Sequence, residues 1–331
     1  MSACLDFLSV RLRVRRDGYG TDMDVLSDAV AAMRTGHPHS TRNDKHAPWG
    51  MRFEASNGAG FHVVLRGSAW LIPAEGEPVA LGPGDVAFLA HGRGHALASG
   101  LDVPLEEVRL DADGRWPEPE PPSRAEGPEP DTVMLCGAYT LDRSRAHPLL
   151  TELPEVVHLP ARVGAHRSLR AAVELLGEEL QESRPGSATI VTSLLDTLLL
   201  YILRAWWQDG HRSAKGRPTG WAAALADPAV GAALHAIHGD PAHPWTVEEL
   251  GARGGLSRAA FARRFTALVG EPPLTYLTWW RMTTAGRLLR ADETPLRLVA
   301  QRAGYTSEFA FAKAFKREFG VAPGQFRRRV S

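Results

Sequence analysis

The chain is 331 residues long, 44% hydrophobic and 23% charged, a length that suits two domains, and no apolar run approaches the roughly 20 residues that span a bilayer. Its two cysteines, Cys4 and Cys136, exclude a disulfide framework. The 38 basic and 38 acidic side chains cancel, yet from Trp221 onward 15 Lys and Arg face 9 Asp and Glu, so a basic C-terminal part suited to phosphate follows an acidic part that is not.

Residues 1–22 hold no apolar core ahead of a cleavage site, so no signal peptide is expected and the chain reads as cytoplasmic. They form an N-terminal extension, either disordered or the product of a start codon placed too early. The pattern predicts a short helix over 24–33 and a polar loop over 36–46, with His37 and His39 solvated. From 49 to 110 the apolar period drops to two, with turns at Ser56-Asn57-Gly58, Glu75-Gly76-Glu77, Gly82-Pro83-Gly84-Asp85 and Gly92-Arg93-Gly94. Short strands at that spacing indicate a β-sandwich or barrel. A Pro- and Glu-rich surface loop over 112–131 precedes a strand over 132–141 that carries Cys136.

Helices follow. Leu169, Val173, Leu176 and Leu180 line one face of the first; Ile190, Leu194, Leu198, Ile202 and Trp206 recur every four residues on the second. This hairpin, 166–208, is expected to pair with its copy in a homodimer. Residues 209–220, rich in Gly, Lys, Arg, Ser and Pro, read as an interdomain linker before an all-helical domain over 221–331.

That last domain repeats itself. Leu250, Gly255, Phe261, Phe265, Gly270, Pro273 and Tyr276 correspond to Val299, Gly304, Phe311, Phe315, Gly320, Pro323 and Phe326, offset by 49 before the turn and 50 after it. Each copy reads as a helix-turn-helix. A short helix (246–252 or 296–302) leads to a glycine that admits positive φ. Ser257, or Thr306–Ser307, then caps a second helix whose two phenylalanines, four apart, face the core. The opposite faces carry Arg258, Ala259, Ala262, Arg263 and Arg264, and Glu308, Ala310, Lys313, Lys316 and Arg317. Basic and small side chains on an exposed helix suit a major groove, where Arg or Lys reaches guanine and Ala touches a thymine methyl. A single helix over 273–290 joins the copies and spans roughly 26 Å, close to the half-site spacing of about one DNA turn.

The stretches 256–265, 272–277 and 303–323 resemble the DNA-binding domain of AraC/XylS-family transcriptional regulators. In that family the second helix of each unit enters the major groove. The resemblance places base contacts at Arg258, Ala259 and Arg263 and at Ser307, Glu308 and Lys313, and with the basic faces the expected DNA-binding set also includes Ser257, Arg264 and Arg317. The resemblance also implies RNA polymerase as a partner at an activated promoter. Residues 61–67 and 84–95 resemble a cupin jelly roll, matching Gly-x5-Pro-x-Gly-x2-His with Ala90 in place of Pro, but lacking the usual His-x-His and Glu. With Cys136-Gly137-Ala138-Tyr139, His147-Pro148-Leu149-Leu150 and Leu153-Pro154 they resemble the cupin sensor of one branch of these regulators, over 23–165.

The expected protein is therefore a jelly-roll sensor with flanking helices, followed by an all-α DNA-binding domain, acting as a dimeric regulator under a small-molecule effector held in the cupin. Two alternatives stay open. If His62 and His95 both point inward and Cys136 joins them, with His91 as a fourth candidate, they make a site for Zn²⁺ or another divalent metal, and hence a metal or redox sensor. A cupin metalloenzyme tethered to DNA is the other; no Gly-x-Ser-x-Gly, Walker or dinucleotide pattern supports catalysis.

Overall fold

A computed structural model describes residues 24–330 apart from 34–35, 37, 112–115, 118–127, 142–146, 163, 183, 214–219 and 292–293. The expected extension 1–22, His37 and most of the segment 112–131 lie outside the described residues. Among the described residues, the N-terminal part opens with α1 (Val25–Met33) and continues through ten strands: β1 (His39–Lys45), β2 (Gly50–Phe53), β3 (Gly58–Arg66), β4 (Ala69–Pro73), β5 (Val79–Leu81), β6 (Val86–Leu89), β7 (His95–Ala98), β8 (Glu106–Val108), β9 (Thr132–Thr140) and β10 (Val157–Leu159). They form two five-stranded sheets, β1-β9-β3-β6-β10 and β5-β4-β7-β2-β8.

Alternation along β3 explains how the first sheet is covered twice. His62 and Val64 face the second sheet, where Val64 packs with Leu71, Leu97, Met134 and Cys136. Phe61 and Val63 face the other way, into a core with Tyr139, Leu176, Leu195, Leu198 and Ile202. Those leucines come from α3 (Arg167–Gln181) and α4 (Ser187–Ser213), which follow the short α2 (Pro148–Thr151). The Tyr139 hydroxyl fixes α4 by donating to the Leu195 carbonyl at 2.8 Å.

Several expectations are refined by the structure. The stretch 36–46, expected as a loop, contains β1, paired with β9 from His39↔Ala138 to Lys45↔Thr132. It lies at a sheet edge, where polar side chains are favoured, so its composition hid it. His39 is accordingly half-buried. In the α4 stripe, Leu198 and Ile202 are fully buried within the chain, while Ile190, and Leu175 on α3, stay exposed. By length and composition alone, 24 residues of α4 would suffice to cross a membrane, contrary to the sequence reading. Burial of Leu195, Leu198, Leu199, Ile202 and Leu203 accounts for part of that apolar character. The expected linker starts inside α4, which runs to Ser213, and 214–219 are not described.

The C-terminal part is helical: α5 (Gly220–Ala226), α6 (Pro228–Gly239), α7 (Val247–Arg253), α8 (Arg258–Val269), α9 (Pro273–Ala291), α10 (Leu296–Arg302), α11 (Glu308–Phe319) and α12 (Pro323–Val330). The two halves of this domain are anchored differently. The first unit, with Leu250, Phe261, Phe265, Tyr276 and Trp280, shares one continuous core with the sheet-covering helices. The second has its own core around Met282, Leu289, Val299, Phe311 and Phe315. The first unit is therefore fixed to the N-terminal part, and the second hangs on α9.

Candidate functional site

Both helix-turn-helix units form as the repeat predicts. Thr246 and Glu249 make a reciprocal capping box at α7. Gly255 and Gly304 adopt φ of +68° and +76° in the turns, a conformation that costs any residue with a Cβ. Ser257 and Ser307 cap α8 and α11, accepting from the Ala260 and Ala310 N–H groups at 3.4 and 3.3 Å. Because the two caps are 50 apart and the two glycines 49, the inserted residue falls in the turn, where Tyr305-Thr306 replace Leu256. An offset of 50 then holds throughout the second helix. Arg258 aligns with Glu308, Arg263 with Lys313, and Ala259 with Phe309.

Arg258, Ala259, Arg263, Glu308, Lys313 and Arg317 are all exposed, on the outer faces of α8 and α11. Arg317 also donates to Glu318 Oε1 at 3.4 Å. Phe309 is 80% exposed beside Lys313, and the sequence reading missed it. Its signal was the 50-residue offset, which puts it at the counterpart of Ala259. Arg264, also exposed, has a partner within the protein. Its Nε donates to Asp227 Oδ2 at 2.6 Å, and a second guanidinium nitrogen joins the same oxygen. Asp227 also caps α6, accepting from the Ala229 and Val230 N–H groups at 3.1 and 3.0 Å. Burial would raise its carboxyl, but those N–H groups and Arg264 hold it below the usual carboxylate range. Arg264 thus braces α8 against α6. Its counterpart in the second unit is Ala314, which is buried.

Inside the sandwich, His62 and His95 do converge, their Nε2 atoms 2.7 Å apart. Cys136 sits opposite His62 in the β3–β9 register. This is not a metal trio, contrary to one expectation. Two nitrogen ligands of one tetrahedral zinc stand roughly 3.3 Å apart, so the pair is hydrogen-bonded instead. Among the described residues no three His, Cys, Asp or Glu side chains are grouped to hold a metal ion. His91 is turned away, its Nε2–H donating to the Leu153 carbonyl at 2.8 Å. Burial pushes the Cys136 thiol up to about 12, against the pull of Lys45 and Asn43, so it stays protonated and a weak ligand or redox nucleophile. Burial also lowers His95 to about 4, and burial together with the neighbouring His95 lowers His62 well below the usual histidine value. Both imidazoles are neutral, with Phe53 stacked on His95 at 4.9 Å.

A second polar cluster lies at the seam between the two parts. His147 Nδ1 accepts from the Leu149 N–H at 3.1 Å, capping α2, so the neutral ring carries its proton on Nε2. That nitrogen faces Tyr276 Oη at 3.4 Å, leaving the hydroxyl to donate to His238 Nε2 at 2.7 Å. His238 must then carry its proton on Nδ1, which faces Asp28 Oδ2 of α1 at 3.6 Å. Burial lowers His147 and His238 and raises Tyr276, so all three stay neutral. Trp221 and Trp279 pack edge-on against His147 at 4.4 and 5.1 Å, and Trp280 stacks on His238 at 3.8 Å. The chain Leu149–His147–Tyr276–His238–Asp28 ties α2 and α1 to α9 and α6.

Comparison with known proteins matches residues 24–208 to a cupin family and residues 250–329 to a helix-turn-helix domain family. A putative AraC-like transcription regulator of Streptomyces antibioticus is 33% identical over 307 residues, covering 92% of this chain and 99% of that protein. The HTH-type transcriptional regulator AlkR of Acinetobacter baylyi is 27% identical, with 92% and 99% covered. Among solved structures, the DNA-binding domain of AdpA in complex with a target DNA shares 34% identity over 31% of this chain and 92% of that one, with a TM-score of 0.30.

Proposed function

The chain belongs to the AraC-like transcription regulators that carry an N-terminal cupin domain, and from that membership we propose how it reads and responds. The regulator binds promoter DNA with α8 and α11 in successive major grooves. The observation that carries this is the repeat of two capped helices presenting Arg258, Ala259 and Arg263 in one unit and Glu308, Phe309 and Lys313 in the other, all exposed. Arg263 and Lys313 reach base edges, Ala259 and Phe309 offer apolar surface to thymine methyls, and Ser257 and Ser307 lie where the phosphates pass. Arg317 serves the backbone, while Arg264 also holds α8 in place through Asp227.

A small molecule acting on the N-terminal part controls the presentation of the two units. The shared core and the polar seam support this, because they give that part a hold on the first unit. Leu175 and Ile190, exposed on the α3–α4 hairpin, support a homodimer, and the promoter setting supports RNA polymerase as a further partner.

Phe309→Ala tests the DNA face where it is least conventional. The variant is expected to weaken operator binding by about 1 kcal/mol, the scale of one apolar base contact, without changing the salt slope. Fluorescence anisotropy over a salt series measures both. Unchanged affinity would remove Phe309 from the interface.

A further inference from the structure

Beside the seam lies a cavity of about 350 Å³, bounded by α1, α6, α9 and α10. Two of its lining residues bring buried polar atoms that find no hydrogen-bond partner within the protein, Trp280 Nε1 and Thr284 Oγ1, and beside them Asp28 Oδ2 and His238 Nδ1 face only each other, at 3.6 Å, beyond full hydrogen-bond contact. Such atoms are rare, and here they converge on one space. The His238 and Trp280 side chains are almost wholly buried. Arg287 and Arg302 complete the wall.

We propose that this cavity binds a small zwitterion, an amino acid or a molecule with the same paired ammonium and carboxylate, and that this is where the effector acts. The proposal rests on the effector-controlled reading above and gives that effector a place outside the sandwich interior. The chemistry of the lining sets the ligand class. Trp280 Nε1–H and the guanidinium groups can only donate, and Thr284 adds a hydroxyl, so one end of the ligand must accept, as a carboxylate does. Asp28 can only accept, so the other end must donate, as an ammonium does. Two cationic side chains, Arg287 and Arg302, balance two anionic ones, Asp28 and Asp240, around a neutral His238, which suits a ligand without net charge. A single water takes roughly 30 Å³, and ligand pockets begin near 300 Å³, so the space fits a small organic molecule.

The walls also supply the coupling. Asp28 belongs to the N-terminal part, Trp280 and Thr284 to the helix that joins the two units, and Arg302 to the second unit. A ligand spanning them favours one placement of the second unit relative to α1. By linkage, operator DNA and the zwitterion must then alter each other's affinity by the same factor.

The test uses the full chain and the common L-amino acids, each alone at millimolar concentration. Thermal shift reads binding, and anisotropy on operator DNA reads coupling. At least one amino acid is expected to raise the melting temperature of the wild type, and the near-isosteric variants Asp28→Asn and Thr284→Val are each expected to lose about tenfold in affinity for it. No shift with any amino acid overturns the site, as does a shift that survives unchanged in both variants. Binding that both variants weaken, with no change in operator affinity, upholds the site and contradicts effector control through it.

Discussion

Arg263→Ala is expected to flatten the regulator's preference at one operator position by about 1–3 kcal/mol, or roughly 5- to 150-fold. Arg263 is exposed in the middle of α8, one turn after Ala259, whose small side chain lets the helix approach the groove closely. Its neighbour Arg264 is held by Asp227, so Arg263 is the guanidinium on this helix that stays available at that depth. Losing a bidentate contact to guanine removes discrimination at one base while the phosphate contacts persist. Non-specific affinity should therefore fall little. Competition binding with every single-base variant of a selected operator measures this directly. A preference profile identical to the wild type would exclude Arg263 from base reading.

His147→Ala should be the most damaging change at the seam, costing about 2–4 kcal/mol. The imidazole is fully buried between Trp221 and Trp279 and caps α2 through Nδ1. Alanine leaves a cavity, an uncapped helix and a weaker tie to Tyr276. The same residue contributes to the pH dependence. His147, His62, His95 and His238 all have folded-state pKa values lowered by burial. Below about pH 6.5, the usual histidine value, the unfolded chain binds protons that the folded chain does not. Stability is thus complete above that pH and is lost as pH falls toward the folded values, about 4 for His95. Removing His147 takes one of these groups away, so the variant, though weaker at pH 7.5, should lose less stability between pH 7.5 and 5.5. Urea unfolding at the two pH values decides it, and parallel losses would contradict the neutral buried imidazole.

The DNA-binding half was legible because its signals are local. Phenylalanines four apart, glycines at the turns and serine caps each act within one helical turn, and repetition doubled them. The sandwich was legible in outline only. Strands β3, β6 and β9 are covered on both sides, so alternation separates two buried environments in place of inside from outside. β1 is polar because it lies at an edge. What sequence could not give were partners far away along the chain. Arg264 reads as one more basic residue until Asp227, 37 positions earlier, takes its guanidinium. In the α4 stripe nothing local separates Leu198 and Ile202, which the protein covers, from Ile190, which stays exposed. His147 lies 129 positions from Tyr276, and nothing local marks either as part of one network. His62 and His95 were correctly brought together, but whether two imidazoles bond to each other or share a metal depends on a few tenths of an ångström.

The central claim, that α8 and α11 read two successive major grooves, is tested most directly by dimethyl sulfate footprinting of guanine N7, a major-groove atom, with the full chain on an operator selected from random DNA. The expected result is two protected major-groove segments about one turn, roughly 34 Å, apart for each protomer, with changes in Arg263 affecting one segment and changes in Phe309 or Lys313 the other. A single protected segment, or variants of both helices affecting the same one, would contradict it.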